Sequence, residues 1–369
     1  MLIYLGCSAV FAFAMAIGLA WAGAPPAAVA HAAFALGAMP LIFAAMGHFV
    51  PVLTRSGGAE TRIHRLPLAM QLAGAAVVGV LAGVLPGAVL HGAVTAGLAA
   101  AGIFLAWLLT RGRATLGKPH PGLAWYGAAL GCLILALLAI LVGLLWPAGY
   151  GMLRLAHLHL NTLGFIGLTA IGTLHVLMPT VLGQPDPQVA NRLRRQLPWA
   201  LAGVGLTALA GGLPWLTPVG VVLIGGVVGQ TLAGWLRTYG WTRLRGDGAA
   251  LSLLGAGFGL LVVIVAGGVH GLGGMAGRLA VVGFFALFLL PLVTGALSQL
   301  LPVWRFPGPA TPARAAMRRR LVRFGGLRTG FFLAGGALLF GGITAGVALL
   351  AAGVLLFAGV LIHSLVARP

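Results

Sequence analysis

Residues 157–183 read HLHLNTLGFIGLTAIGTLHVLMPTVLG. These residues include no Asp, Glu, Lys or Arg. Such a run is longer than the roughly 20 mostly apolar residues that a helix needs to cross a bilayer core. The stretch therefore reads as a membrane-spanning helix. Its three histidines then need explaining, because an ionisable group inside a span is costly and marks a functional site by default.

The rest of the chain agrees with that reading. Of its 369 residues, 60% are hydrophobic and 7% are charged, against roughly 25% charged in soluble domains. Spans are expected near residues 2–23, 28–54, 66–86, 91–110, 122–146, 153–182, 197–214, 217–237, 249–270, 278–304, 328–344 and 346–366. This predicts an all-α polytopic membrane protein of about twelve transmembrane helices, one integral membrane domain over 1–369. The N-terminal MLIYLGCSAVFAFAMAIGLAWAG carries no basic leader and reads as the first span, not as a signal peptide.

The formal charge of +19 does not point to nucleic acid. The basic residues sit in short loops, where they set orientation and meet anionic lipid headgroups. Twenty fall on one side of the expected topology, from Arg55 to Arg368, and only Arg154 and Arg278 on the other. The positive-inside rule then puts both termini in the cytoplasm, and a bacterial inner membrane is expected. The segment PATPARAAMRRRLVRFGGLR reads as a basic linker lying on anionic lipid. Cys7 and Cys132 lie in apolar spans and read as packing residues.

Three spans end alike: AAMGHFVPVLTR, AIGTLHVLMPTVLG and LVTGALSQLLPVWR. Their prolines, Pro51, Pro179 and Pro302, are spaced by 128 and 123 residues. This predicts three pseudo-repeats of four helices, about 1–120, 121–245 and 246–369. Aligning the prolines superposes His31 on His159, and Arg154 on Arg278 to within one residue.

No Asp or Glu falls inside a span, which argues against a proton-coupled transporter. Histidine is the polar residue that is present, and neutral imidazole is a common ligand for haem iron and copper. His31, His157, His159 and the outer His91 and His270 form one expected layer. His48 and His175 form another, nearer the inner face. His159 and His175 are 16 residues apart, so at 1.5 Å per residue they cannot share one metal. At about 100° per residue His157 and His159 point to nearly opposite sides, and only one of them faces a given partner. Arg154, five residues before His159, reads equally as a partner for a haem propionate and as an anchor in the lipid headgroups. Met39, Met46 and Met178 are soft atoms that could serve copper, with apolar packing the plainer reading. Asn161, Thr162 and Gln299 are expected to hydrogen-bond between helices.

The stretch 157–183 resembles the histidine–glycine–proline pattern of ligand helices in the catalytic subunit of haem-copper oxidases. It is still more similar to the NnrS family of smaller bacterial membrane proteins, and residues 31–57, HAAFALGAMPLIFAAMGHFVPVLTRSG, share the layout. The resemblance implies a fold like that oxidase subunit, haem and copper binding, and a role in nitric oxide or nitrosative stress, or in redox chemistry with an unidentified partner. It implies His31 and His159 as axial ligands, with Arg154 and Arg278 assisting and His157 as a further contact; His48, His175 and His91 are the metal candidates. The span expected at 197–214 and the one at 278–304 carry no histidine, so the three-histidine copper site of an oxygen reductase is not expected. Two other classes stay open: a transporter of metal, haem or small solute, and a non-catalytic assembly subunit.

Overall fold

In the computed structural model, which describes residues 1–367, the described residues form helices and no strand. Arg368, counted above among the inner arginines, lies outside them. An all-helical answer follows from the composition. Without water to satisfy them, backbone N–H and C=O groups must pair within their own segment. The helices are α1 (Leu2–Trp21), α2 (Pro26–Thr54), α3 (Thr61–Leu81), α4 (Val89–Arg113), α5 (Gly122–Leu145), α6 (Pro147–Leu182) and α7 (Val189–Leu209). They continue with α8 (Pro214–Tyr239), α9 (Trp241–Gly246), α10 (Gly248–Gly271), α11 (Gly277–Arg305), α12 (Pro312–Val322), α13 (Gly325–Phe340) and α14 (Gly346–Val366).

Among the described residues, ten helices are long and apolar enough to cross a membrane. The chain is thus a multi-pass helical membrane protein. The other two expected spans correspond to α7 and α13. Helix α7 starts at Val189 and takes Arg192, Arg194 and Arg195 into its first turns, so basic residues expected in a loop are helical. Helix α13 has only 16 residues. It begins at Gly325 and includes Arg328, which is 1% exposed and not a loop residue. The basic linker folds into α12, whose Met317 and Leu321 are buried.

The fold divides into two compact units. The first comprises residue 1, residues 24–175 and 187–227; the second comprises 2–23, 176–186 and the chain from 228 onward. In the first, an aromatic core joins α2, α4 and α6: the Phe43 ring lies 5.1 Å from Phe104 and 5.8 Å from Phe165. All three are fully buried. In the second, Phe13 meets Phe285 edge-on at 5.6 Å. Large apolar side chains also point outward, such as Phe11, Leu72, Val222 and Leu355. On a soluble protein these would be a liability; here they are the surface that lipid covers.

Three helices share an unusual feature. Helices α2, α6 and α11 each widen into a π-helical segment, at Ala32–Ala38, Leu160–Gly167 and Phe284–Leu289. These begin 19, 19 and 18 residues before Pro51, Pro179 and Pro302. π-Helical turns are rare and concentrate at functional sites. Each is packed closely by a small residue. A Cβ on Gly74 of α3 would fall on the Ala35 carbonyl, and one on Gly259 of α10 on the Leu287 carbonyl. Gly164, inside the α6 segment, has Cys132 of α5 against it, 2.7 Å from where its Cβ would stand.

Helices α2 and α6 also end alike. The Ser56 N–H donates to the Pro51 carbonyl at 2.9 Å, and the Gln184 N–H to the Pro179 carbonyl at 3.0 Å. Each turn places a left-handed residue just after the helix, Gly183 at φ 62° and Arg55 at φ 52°. Glycine suits that conformation, whereas Arg55 is the described non-glycine residue that adopts it.

Candidate functional site

The outer parts of α2 and α6 bring two histidines of the first unit together. The His31 and His157 rings lie 6.3 Å apart, centroid to centroid, and are within 17° of parallel. That separation and angle are those of an offset-stacked pair of rings. The centroid distance is also that of a metal-bridged pair. Two metal–nitrogen bonds of about 2.0–2.1 Å, with half an imidazole at either end, span about 6 Å.

Each ring is oriented by a backbone carbonyl. His31 Nδ1–H donates to the Ala27 carbonyl of its own helix at 2.7 Å. His157 Nδ1–H donates across to the Ala136 carbonyl of α5 at 2.9 Å. A carbonyl can only accept, so the proton sits on Nδ1 and the lone pair on Nε2. Ligand histidines are normally fixed in this way, by a hydrogen bond on the nitrogen that does not bind. Asn161 adds a further contact: its side-chain amide nitrogen donates to the His157 carbonyl at 2.9 Å and lies 3.3 Å from the ring's Nδ1. Its Oδ1 is buried without a hydrogen-bond partner. Both histidines are half-buried, so the pair is reachable from outside the unit.

The π segments follow directly: His31 precedes Ala32–Ala38, and Leu160–Gly167 starts one residue after His159. His157 and His159 both precede the widened segment, on regular α-helix, so they keep their separation of about 200° and only one of them faces α2. The ring set opposite His31 is that of His157. The resemblance had implied His159 as the ligand. His159 is half-buried two residues further on.

The other sequence candidates are scattered. Arg154 is exposed, one turn before His157 on the same helix. His91 is exposed near the start of α4. His48 is half-buried, with its ring edge-on to Phe49 at 5.3 Å. His175 is 2% exposed, donates from Nδ1 to the Ile171 carbonyl at 2.8 Å and lies 6.4 Å from the Trp125 ring. In the second unit Arg278 is exposed in the first turn of α11, and His270 Nδ1–H donates to the Met275 carbonyl at 2.7 Å. Among the described residues, no three His, Cys, Asp or Glu side chains gather as a metal site.

Some tertiary polar contacts were not legible in the sequence. Arg328 donates to the carbonyls of Leu321 and Thr294 at 2.9 and 3.2 Å and to Ser298 Oγ at 2.8 Å. Its guanidinium lies 4.7 Å from the Phe357 ring centroid. Arg318 ties Asp247 at 2.7 Å and Gln299 at 2.6 Å. Asp247 also accepts from the N–H groups of Ala249 and Ala250, which caps α10. These contacts read as architecture in the second unit: arginines that answer helix ends.

No family model matches the chain, and no curated protein matches it. What fold and site define together is a class, a multi-pass helical membrane protein with a pair of half-buried imidazoles from two of its spans.

Proposed function

We propose that this chain is a haem-binding membrane protein that holds its cofactor between His31 and His157. The observation that carries the reading is the pair itself: two nearly parallel imidazoles at 6.3 Å, each with Nδ1 committed to a carbonyl. Two imidazoles hold a bare metal ion poorly, because zinc and copper sites use three or four protein ligands. A haem supplies four nitrogens of its own and asks the protein only for axial ligands. The donor set therefore favours haem over isolated copper. When bound, the group supplies redox chemistry at iron. The chain's own residues set the ring orientation and the tautomer, and Arg154 stands one turn away as a cation for a propionate.

The resemblance to the NnrS family supports a role in nitric oxide or nitrosative-stress response, or in redox chemistry. The matched π segments and prolines of α2, α6 and α11 support an arrangement of twelve spans in three repeats of four, as in haem-copper oxidase catalytic subunits. The charge asymmetry of the loops supports a bacterial inner membrane with cytoplasmic termini. Helix α12 suits an anionic lipid surface: Arg319 and Arg323 are exposed, followed by exposed Phe324 and Leu327.

The test is an absorption spectrum of detergent-purified protein from haem-replete cells, oxidised and dithionite-reduced, with iron measured on the same sample. A Soret band that shifts on reduction and is weakened or altered in both His31→Ala and His157→Ala supports the reading. A colourless, iron-free protein overturns it.

A further inference from the structure

Away from the histidine pair, the first unit carries a cleft of about 400 Å³ between the loop before α5 and the first turns of α7. That volume falls within the roughly 300–1,000 Å³ of small-molecule sites. Lys118 and Arg194 line it, and both are exposed. Pro121, Ala124, Leu193 and Leu197 give it an apolar wall. We infer that this cleft binds an anionic phospholipid, with the headgroup phosphate held by Lys118 and Arg194 and the glycerol and upper acyl chain laid along the apolar wall.

Charge selects an anion. Glu60, Asp186 and Asp247 are the three acidic residues of the chain, and none of them lines the cleft. Glu60 pairs with Arg62 at 2.8 Å and Asp247 with Arg318 at 2.7 Å. Among the described residues, neither Lys118 nor Arg194 has a carboxylate partner. Two such cations beside an apolar wall match a phosphate that carries acyl chains, and basic pockets between spans are where anionic headgroups dock. A soluble anion would make no use of the wall. The cleft also lies at the level of a headgroup. Helix α5 is apolar enough to cross a membrane from Gly122 onward, so Lys118 stands just outside a span. On α7 the arginines 192, 194 and 195 give way to LPWALAGVG, and Trp199, five residues after Arg194, is 60% exposed. Tryptophan of this kind is enriched where a membrane meets water.

The walls of the cleft are tied together before any lipid arrives. The indole N–H of Trp125, a fully buried residue of α5, donates to the Leu193 carbonyl of α7 at 3.0 Å. The loop is pinned to α2 through the His120 N–H, which donates to the Leu53 carbonyl at 3.2 Å. His120 Nδ1 in turn accepts from the Gly122 N–H at 3.1 Å, which fixes the turn into α5. Walls already held in place cost little ordering entropy when a ligand settles between them.

The experiment uses the whole protein, delipidated in detergent. Phosphatidylglycerol, phosphatidylcholine or inorganic phosphate is added; native mass spectrometry counts what is retained, and thermal midpoints are read on the same samples. The expected result is a tightly retained phosphatidylglycerol with a raised midpoint, and neither effect with phosphatidylcholine or phosphate. A basic side chain near the surface strengthens attraction to anionic lipid about fivefold, so Lys118→Gln and Arg194→Gln together should weaken retention about 25-fold. Arg319→Gln and Arg323→Gln, at the end of α12, remove two other exposed cations and should leave the tightly retained lipid in place. Phosphatidylcholine held as firmly as phosphatidylglycerol, or equal retention by wild type and the Lys118/Arg194 variant, overturns the site. A midpoint raised as far by inorganic phosphate overturns the lipid as its occupant. The wild-type comparison of the two lipids decides the matter even if the variant fails to fold. Haem content does not enter the readout, so failure here is separate from failure of the haem reading.

Discussion

His31 and His157 lie 6.3 Å apart, centroid to centroid, though 126 positions separate them in the chain. One is oriented from within its helix and the other from across it. The pair has different supports on its two sides, and those supports can be removed separately.

Asn161 is the support on the His157 side. Loss of a partner that orients a ligand typically weakens metal affinity by about 10–100-fold. If the haem reading holds, Asn161→Ala should therefore bind haem about tenfold more weakly. Transfer of haem to an apo-globin acceptor measures this, and unchanged retention would show that the Ala136 hydrogen bond is enough.

Arg328 should matter for stability and not for the haem spectrum. It makes three hydrogen bonds from a fully buried position and contacts the Phe357 ring. A hydrogen bond to a charged group is worth about 1.5–3 kcal/mol, less the cost of burying the charge. Arg328→Ala should lower stability by about 2–4 kcal/mol, read as an earlier thermal midpoint in detergent. A midpoint within error of wild type would mean the burial cost cancels the gain.

The close packing at the π segments gives a third expectation. Gly259 has no room for a side chain against the Leu287 carbonyl, nor Gly74 against that of Ala35. Gly259→Val and Gly74→Val must push helices apart, and overpacking of this kind costs about 1–3 kcal/mol or more. Gly47, which has nothing near a built Cβ, is the control. Size-exclusion profiles after a heat step should show loss of the first two variants and survival of Gly47→Ala.

Arg55 should improve on substitution. It holds φ 52° where the matching residue after α6 is Gly183. A left-handed non-glycine residue costs about 1–2 kcal/mol, so Arg55→Gly should stabilise by about 1 kcal/mol. Chemical unfolding of the two proteins side by side would show this, and a destabilised variant would reveal a role for the Arg55 side chain.

His120 gives the pH dependence. It lies in the loop before α5, where its Nδ1 accepts from the Gly122 N–H at 3.1 Å. Burial, and secondarily the nearby Arg194, hold its pKa below the usual 6.5. The folded state thus prefers neutral His120, and the unfolded chain takes up its proton first. Stability from this group is complete above about pH 6.5 and is lost as pH falls through the lowered folded value. His120→Gln should flatten the acid limb of a stability–pH curve in that window; an unchanged limb would assign the acid sensitivity elsewhere.

The sequence by itself determined that the chain crosses a membrane, because long uncharged runs have no other stable home than helices in lipid. It also determined most helix positions, and it marked histidine as the residue to explain. Tertiary structure decided the rest. The spacing of His157 and His159 leaves open which ring meets α2; that is a matter of helix rotation, and His157 is the one tied to the Ala136 carbonyl on a different helix. Arg328 reads as one more loop arginine until α13 starts three residues before it and buries it. Helix rotation and helix starts depend on which neighbours pack against each face, and composition along a single strand of sequence holds no record of those neighbours.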